Sequence, residues 1–200
     1  MGPRSFLCQE SLYGRARPHL LWVLSKIEED IEARARFYLM LGGAAEFTKD
    51  YPAAVDYYAQ AWALEPAEPL TWYYVNNNLG FSLNTLGRFE EGERFCRIAI
   101  DADPDRYNAW KNLGISRAGQ GDLVDAARCL IRATHAYPLD RRAFDLLVKL
   151  VAEHPEIVAA VPELERDIEH YRTGSTGSWL AYASTRGGKT PYIRFTPHPN

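Results

Sequence analysis

Three groupings of side chains in this sequence are of types that do chemistry. The first is ASTRGGKT, residues 183–190, which fits a permissive phosphate-loop pattern with Ala183 in place of the first glycine. Such a loop works by aiming backbone N–H groups at a phosphate between a strand and a helix. Pro191 follows at once and only ten residues remain after Thr190, so no α/β unit surrounds it. The stretch is expected to be part of a basic tail. The second grouping is the histidines, His19, His135, His154, His170 and His198, of which no two stand at the i, i+4 spacing of a helical metal site. His135 falls near an expected helix end, where an imidazole suits the helix dipole. Cys8, Cys96 and Cys129 have no metal spacing either, and Cys96 and Cys129 fall on apolar helical faces. No Gly-x-Ser-x-Gly elbow and no paired Cys/His spacing occurs. The chain is therefore expected to be no enzyme, with no catalytic residue, no metal and no cofactor.

The third grouping is of amides. Asn76, Asn77 and Asn78 are consecutive inside a helical pattern. Together they cost on the order of 2 kcal/mol in helix propensity relative to alanine. A carboxamide carries both a donor and an acceptor, so it can hold a partner's backbone whatever that partner's side chains are.

Composition narrows the setting. The chain has 200 residues, is 46% hydrophobic and 24% charged, and carries a formal net charge of −3. That is globular, with enough apolar material for a core, and it lacks the basic excess of a nucleic-acid surface. No apolar run approaches the ~18 residues of a bilayer span, so membrane insertion is not expected. Residues 1–17 lack a secretory pattern, and Pro3 and Phe6 break a myristoylation motif. A reducing cytoplasm is the expected compartment.

The elements that must position these groups come from internal repetition. Trp110, Leu113, Gly114, Gly121, Ala126, Ala133 and Pro138 are matched 34 residues earlier by Asn76, Leu79, Gly80, Gly87, Gly92, Ala99 and Pro104. A further unit, offset by 38, holds Tyr38, Leu41, Gly42, Ala54, Tyr58, Ala61 and Pro66, which places one extra helical turn near Glu65 to Thr71. Each unit is two amphipathic helices joined by a short turn. Small residues (Gly80, Gly114, Ala54, Ala126) stand where the helices approach, and Gly87 and Gly121 mark turns that need a positive φ. Lys49 takes that slot in the first unit, so a differently built turn is expected there. Pro66, Pro104 and Pro138 stop second helices, while Pro52 and Pro69 suit first turns.

This pattern resembles the tetratricopeptide repeat family over residues 35–140. Asn76, Gly92 and Arg117 depart from it, standing for the usual aromatic, alanine and aromatic. The resemblance implies an all-α fold, a right-handed superhelical solenoid of helix-turn-helix repeats. The expected division is an N-terminal segment with a capping helix (1–34), three units (35–68, 73–106, 107–140), degenerate capping helices (141–172) and an irregular basic aromatic tail (173–200). Leu20, Leu24, Ile27, Ile31 and Tyr38 keep one helical face, predicting one long helix from about His19 to Phe47 with Glu28, Glu29 and Asp30 on its solvated side. Arg186, Lys189 and Arg194 give residues 173–200 a charge of +3, leaving −6 on the rest of the chain.

In this family the first helix of each unit lines a concave groove. The groove-facing positions here are Tyr74, Asn77, Asn78 and Phe81, then Asn108, Lys111, Asn112 and Ile115, then Arg142 and Lys149. Asn78 and Asn112 share one repeat position, as related proteins' amide ladders do, and are expected to hold a peptide backbone. Asn76 faces the partner helix and is expected to make a structural hydrogen bond. Met40 and Leu146 interrupt the ladder. The family's carboxylate clamp is matched by Asn112 and Arg142 but broken at Asn77, Phe81 and Leu146, so it is not assigned. The implied function is a non-catalytic adaptor binding an extended peptide or protein segment. Two alternatives stand beside it: a secretion-type chaperone for an unfolded partner, and a self-assembling scaffold that docks its tail on a second copy.

Overall fold

The computed structural model describes residues 16–161 and 164–173, and side chains through Glu169. The expectations for Cys8, His170, His198, the basic tail and ASTRGGKT lie outside the described residues.

Every described element is a helix: α1 (16–24), α2 (Ile31–Phe47), α3 (Tyr51–Ala63), α4 (Pro69–Thr85), α5 (Phe89–Ala102), α6 (Tyr107–Gly119), α7 (Leu123–Ala136), α8 (Arg141–Glu153), α9 (Ile157–Ala160) and α10 (Leu164–Thr173). Successive helices pack in pairs, α2 on α3, α4 on α5 and α6 on α7, and each pair leans on the next. The result is a helical-repeat solenoid.

One expected helix is two. Ser25 folds back, its Oγ donating to the Trp22 carbonyl at 2.7 Å, and α1 ends. The chain restarts at Asp30, whose carboxylate accepts from Ala33 N at 2.9 Å. This N-cap satisfies a backbone donor that the helix leaves open. The acidic run is therefore a break between helices, not a helix face. Within α2, Gly42 and Gly43 remain helical because the ring of Tyr58 packs against them, with a Cβ at Gly42 falling 2.3 Å from Tyr58 Cε1.

The prolines lie as expected. Pro52 and Pro69 are in first turns, α3 ends three residues before Pro66, and α5 and α7 end two residues before Pro104 and Pro138. The four-residue difference between repeat offsets appears as an extra first turn of α4, which spans 17 residues against 13 in α6. The turns hold a correction. Lys49 has φ 62°, beside 76° at Gly87 and 83° at Gly121. The backbone bonds match too: Asp50 N to Ala45 O, Arg88 N to Leu83 O and Asp122 N to Arg117 O, all at 2.9–3.0 Å. The first turn is built like the others, and Lys49 accepts the left-handed conformation that glycine adopts freely.

Close approach explains the small residues. A Cβ on Gly80 would lie 2.7 Å from Cys96 Sγ, and one on Gly114 would lie 2.9 Å from Leu130 Cγ. Buried side chains then form three clusters along the array, around Tyr58 and Leu83, around Tyr73 and Ile100, and around Leu130, Phe144 and Leu147. Burying each such side chain contributes about 1.5–3 kcal/mol. The last cluster extends through Ile157, Val161 and Leu164, so α9 and α10 cover the end of the array. His135 is more than a dipole partner, since its Nε2 lies 3.3 Å from Asp167 Oδ2 and ties α10 to α7.

Candidate functional site

Helices α4, α6 and α8 stand side by side and carry all ten residues expected to line the groove. The structure sorts those residues into two regions, a closed seam between α4 and α6 and an open cleft between α6 and α8.

The seam holds the asparagines. Asn112 is 2% exposed and Asn77 is 6% exposed. Asn112 Nδ2 donates to Asn77 Oδ1 at 3.1 Å, and Asn77 Nδ2 donates to Asn78 Oδ1 at 2.9 Å. Asn84, buried in α4, donates to the Asn112 carbonyl at 2.8 Å and accepts from Ser116 Oγ at 2.8 Å. Asn77 and Asn112 therefore point between helices, where the expectation had them facing a ligand. Their burial follows from geometry: helices carrying amides at matched heights pair most of those amides across the interface, leaving only the Asn112 Oδ1 of this set without a hydrogen-bond partner. Asn78 stays half-buried, its Nδ2 3.4 Å from the Tyr58 hydroxyl. Asn76 is fully buried, as expected for its position, and bonds within its own helix to the Trp72 carbonyl at 2.8 Å.

The same arrangement recurs one repeat earlier. Ser82 Oγ donates to Glu46 Oε1 at 2.8 Å, just as Ser116 does to Asn84. Burial raises the Glu46 carboxyl above its ordinary range, and its bonds to Ser82 and Tyr58 oppose that. Glu46, Ser82, Asn84 and Ser116 were absent from the expected site. The signal was present in the repeat offsets: Glu46 and Asn84 are 38 residues apart, and Ser82 and Ser116 are 34 apart. Asn84 also accounts for Gly92. A Cβ at Gly92 would lie 2.2 Å from Asn84 Oδ1, so the family's usual alanine does not fit beside that amide.

The cleft differs. Its start is pinned: Tyr107 Oη donates to Asp140 Oδ2 at 2.6 Å, and Arg142 Nη2 reaches both Tyr107 Oη at 2.9 Å and Asp140 Oδ2 at 2.5 Å. Arg142 holds the Asp140 carboxyl well below the usual carboxylate range. Beyond this latch a cavity of about 250 Å³ opens, lined by Ile115 and Ala118 of α6, Leu130 of α7, and Leu146 and Leu150 of α8. Lys149 and Glu153 lie 3.8 Å apart at its rim.

Lys111 lies one turn before Ile115 on α6. It is 7% exposed, with its ammonium 6.0 Å from the centre of the Phe81 ring. Among the described residues it has no hydrogen-bond or ion-pair partner. Burial, and then the charge of Arg142, pulls its ammonium from 10.5 down to about 8. Tyr74 is occupied, its hydroxyl accepting from Arg106 Nη1 at 3.2 Å. Phe81 meets Tyr51 edge-on at 6.2 Å, and Asn108 is half-buried beside the latch residue Tyr107. Lys149 is largely exposed. Among the described residues no helix is long and apolar enough to cross a membrane, and no cluster of three metal-binding side chains occurs.

No family model matches the chain. Curated proteins do. It is similar to the small glutamine-rich tetratricopeptide repeat-containing protein 2 of Saccharomyces cerevisiae, 26% identical over 170 residues covering 80% of this chain and 48% of that one. It is also similar to the heat-shock protein cognate co-chaperone sgt12 of Aspergillus fumigatus, 33% identical over 85 residues covering 42% of this chain and 24% of that one. The chain thus spans less than half the length of these relatives. Among solved structures, the first tetratricopeptide repeat of Spaghetti (RPAP3) bound to the HSP90 peptide SRMEEVD superposes with a TM-score of 0.55 at 20% identity, over 61% of this chain and 94% of that one. MamA residues 41 to the end from Desulfovibrio magneticus RS-1 superposes with a TM-score of 0.58 at 16% identity, over 84% of this chain and 98% of that one. With the repeat geometry described above, the chain has the helical-repeat fold of these solved structures and is similar in sequence to tetratricopeptide-repeat proteins.

Proposed function

We propose that the chain is a non-catalytic adaptor that holds an extended peptide or protein segment on the face formed by α4, α6 and α8. The observation that carries this reading is the α6–α8 cleft, where an apolar cavity opens near a largely buried cation that makes no hydrogen bond or ion pair with any described residue. Sites of this kind, concave and apolar with a few polar groups, are where ligands bind. The relatives named as co-chaperones and the solved repeat that carries a bound peptide support the same class of role. The free thiols Cys96 and Cys129 suit a cytoplasmic protein.

The seam revises how such a segment is held. Asn77 and Asn112 are committed to the α4–α6 interface, so the backbone contacts fall to Asn78 and Asn108. Phe81 and Ile115 offer apolar contact. The carboxylate clamp stays unassigned: Asn112 is buried and Arg142 is tied to Asp140 and Tyr107. Site-specific photocrosslinking in source lysate tests the reading. A photoreactive residue at Asn108 should capture a partner segment, and one at Arg128, exposed on α7, should not. Capture at Arg128 but not at Asn108 would move the binding surface off this face.

A further inference from the structure

The seam residues Asn77, Asn84, Asn112 and Ser116 recur 34 residues later as Lys111, Ala118, Leu146 and Leu150. Three of these four counterparts line the α6–α8 cavity, and the fourth, Lys111, lies one turn before Ile115 of its wall. The cavity is therefore the place where the next rung of the amide seam is missing. Ala118 is too short to reach across as Asn84 does, and Leu146 and Leu150 offer nothing to bond.

Two features of this gap define what fills it. The cavity, at about 250 Å³, is smaller than the ~300–1,000 Å³ of small-molecule pockets. Its wall is mostly aliphatic, with the ring of Phe89 from α5 and the Lys149–Glu153 pair at the rim, which suits one bulky aliphatic side chain. Lys111 is more than nine-tenths buried, and Asp140 and Glu46 attract its ammonium without pairing with it, so a carboxylate brought within ion-pair distance would relieve the cost of burial. The neighbouring Arg142 is already spent on Asp140 and Tyr107. Lys111 precedes Ile115 by four residues, which is about 6 Å along the helix axis at 1.5 Å per residue. Two residues of an extended chain cover about 6.6 Å, and side chains two apart point to the same side.

We propose that the α6–α8 cleft recognises an extended partner segment in which an aliphatic residue and an acidic residue stand two positions apart. The aliphatic side chain enters the cavity between Ile115 and Leu146, and the carboxylate meets the ammonium of Lys111. This rests on the groove reading above and narrows it to a partner chemistry.

The test uses the full chain and blocked nine-residue Gly/Ser peptides followed by NMR. One peptide carries Leu and Asp two positions apart. Controls replace Asp with Asn, replace Leu with Ser, or place Asp next to Leu. The Leu-x-Asp peptide should shift resonances of Ile115, Leu146 and the Lys111 ammonium. The Asn control should bind about tenfold more weakly, as loss of a charge-assisted hydrogen bond implies. In Lys111→Met the Asp and Asn peptides should bind alike, and in Ala118→Leu, which fills the cavity, the Leu and Ser peptides should. Equal binding of Asp and Asn peptides to the unaltered chain overturns the proposal. If all peptides shift α4, α6 and α8 resonances without regard to sequence, the groove reading stands and this proposal falls. If none shifts them, both fall.

Discussion

The α4–α6 seam and the α6–α8 cleft hold equivalent repeat positions but differ in closeness: α4 packs directly on α6, while α6 and α8 stand farther apart. In the first, four polar residues hydrogen-bond across the helices. In the second, a lysine, an alanine and two leucines occupy the same repeat positions and leave a cavity and an unmatched charge. Repeat arrays owe much of their stability to contacts between neighbours, so one interface can be made firm and the next left open without changing the fold. The comparison teaches where such an array can open a cavity without losing its fold: at the rung where the polar pattern lapses.

The sharpest way to break this comparison is Asn112→Leu, which gives the seam the leucine found at position 146. It removes the donor to Asn77 and leaves that buried amide's acceptor bare. A buried group left without its partner costs about 1–3 kcal/mol, and repacking a leucine at this closed interface adds about 1–3 kcal/mol. The expected loss is therefore on the order of 2–6 kcal/mol, read from urea unfolding. A loss under about 0.5 kcal/mol, the size typical of a surface substitution, would show that the amides do not hold the seam.

Gly92→Ala tests the seam from behind. In an open helix this change is worth about 1 kcal/mol in favour of alanine. Here the new methyl meets the Asn84 amide, which its bonds to Asn112 and Ser116 hold in place. Overpacking costs about 1–3 kcal/mol, so after the propensity gain the expected net loss is up to about 2 kcal/mol. Because the two residues touch, Asn84→Ala should cost markedly less in the Gly92→Ala background than alone, a coupling that a double-mutant cycle resolves.

In the cleft the expected sign reverses. Lys111→Met removes a buried charge and keeps the shape of the side chain, so stability at pH 7 should rise by on the order of 1–3 kcal/mol. The charged groups acting on Lys111 are Arg142 and Asp140 at the start of α8, Glu46 of α2 and Cys96 of α5, with Arg142 the strongest. The folded chain releases the Lys111 proton near 8, whereas the unfolded chain holds it until about 10.5. The unfolded state binds the extra proton across that window, so stability should climb with pH between those values, and Lys111→Met should flatten the climb. Affinity for an acidic peptide should move the other way and decline as pH passes 8, since only the charged ammonium attracts a carboxylate.

How much of this was legible in the sequence depends on what encodes it. The helix pairs were legible because prolines, turn glycines and small residues act locally. The helix break at Asp30 was not, since Leu24, Ile27 and Ile31 continue the apolar face through it and the cap is made by one side chain. Asn77 and Asn112 were found but assigned to the wrong side. Burial of an amide depends on what stands opposite: Asn77 is met by Asn112, and Asn112 in turn by Asn84, which pairs with Ser116, and a single-helix pattern does not show those pairings. The cleft was half legible: Lys111, Ile115 and Leu146 were noted, but a cavity comes from Ala118 being short, which shows only when two helices are set side by side.

The smallest expected effect lies in the first turn and shows how local the repeat's rules are. Lys49 sits at φ 62° with its side chain exposed. A residue with a Cβ is disfavoured there by about 1–2 kcal/mol, while glycine adds about 0.5–1 kcal/mol of unfolded-state freedom that opposes the gain. Lys49→Gly should therefore stabilise the chain by only about 0.5–1 kcal/mol, measured as a small rise in the urea midpoint at constant slope. It should leave peptide binding in the α6–α8 cleft untouched. A loss of stability would mean that the Lys49 side chain is held by contacts the turn geometry does not reveal. A gain without any change in the cleft would separate two kinds of departure from the repeat pattern. Lys49 is a local strain that the fold absorbs. Lys111, at the position where the seam has an asparagine, is a cost retained because something outside the chain relieves it.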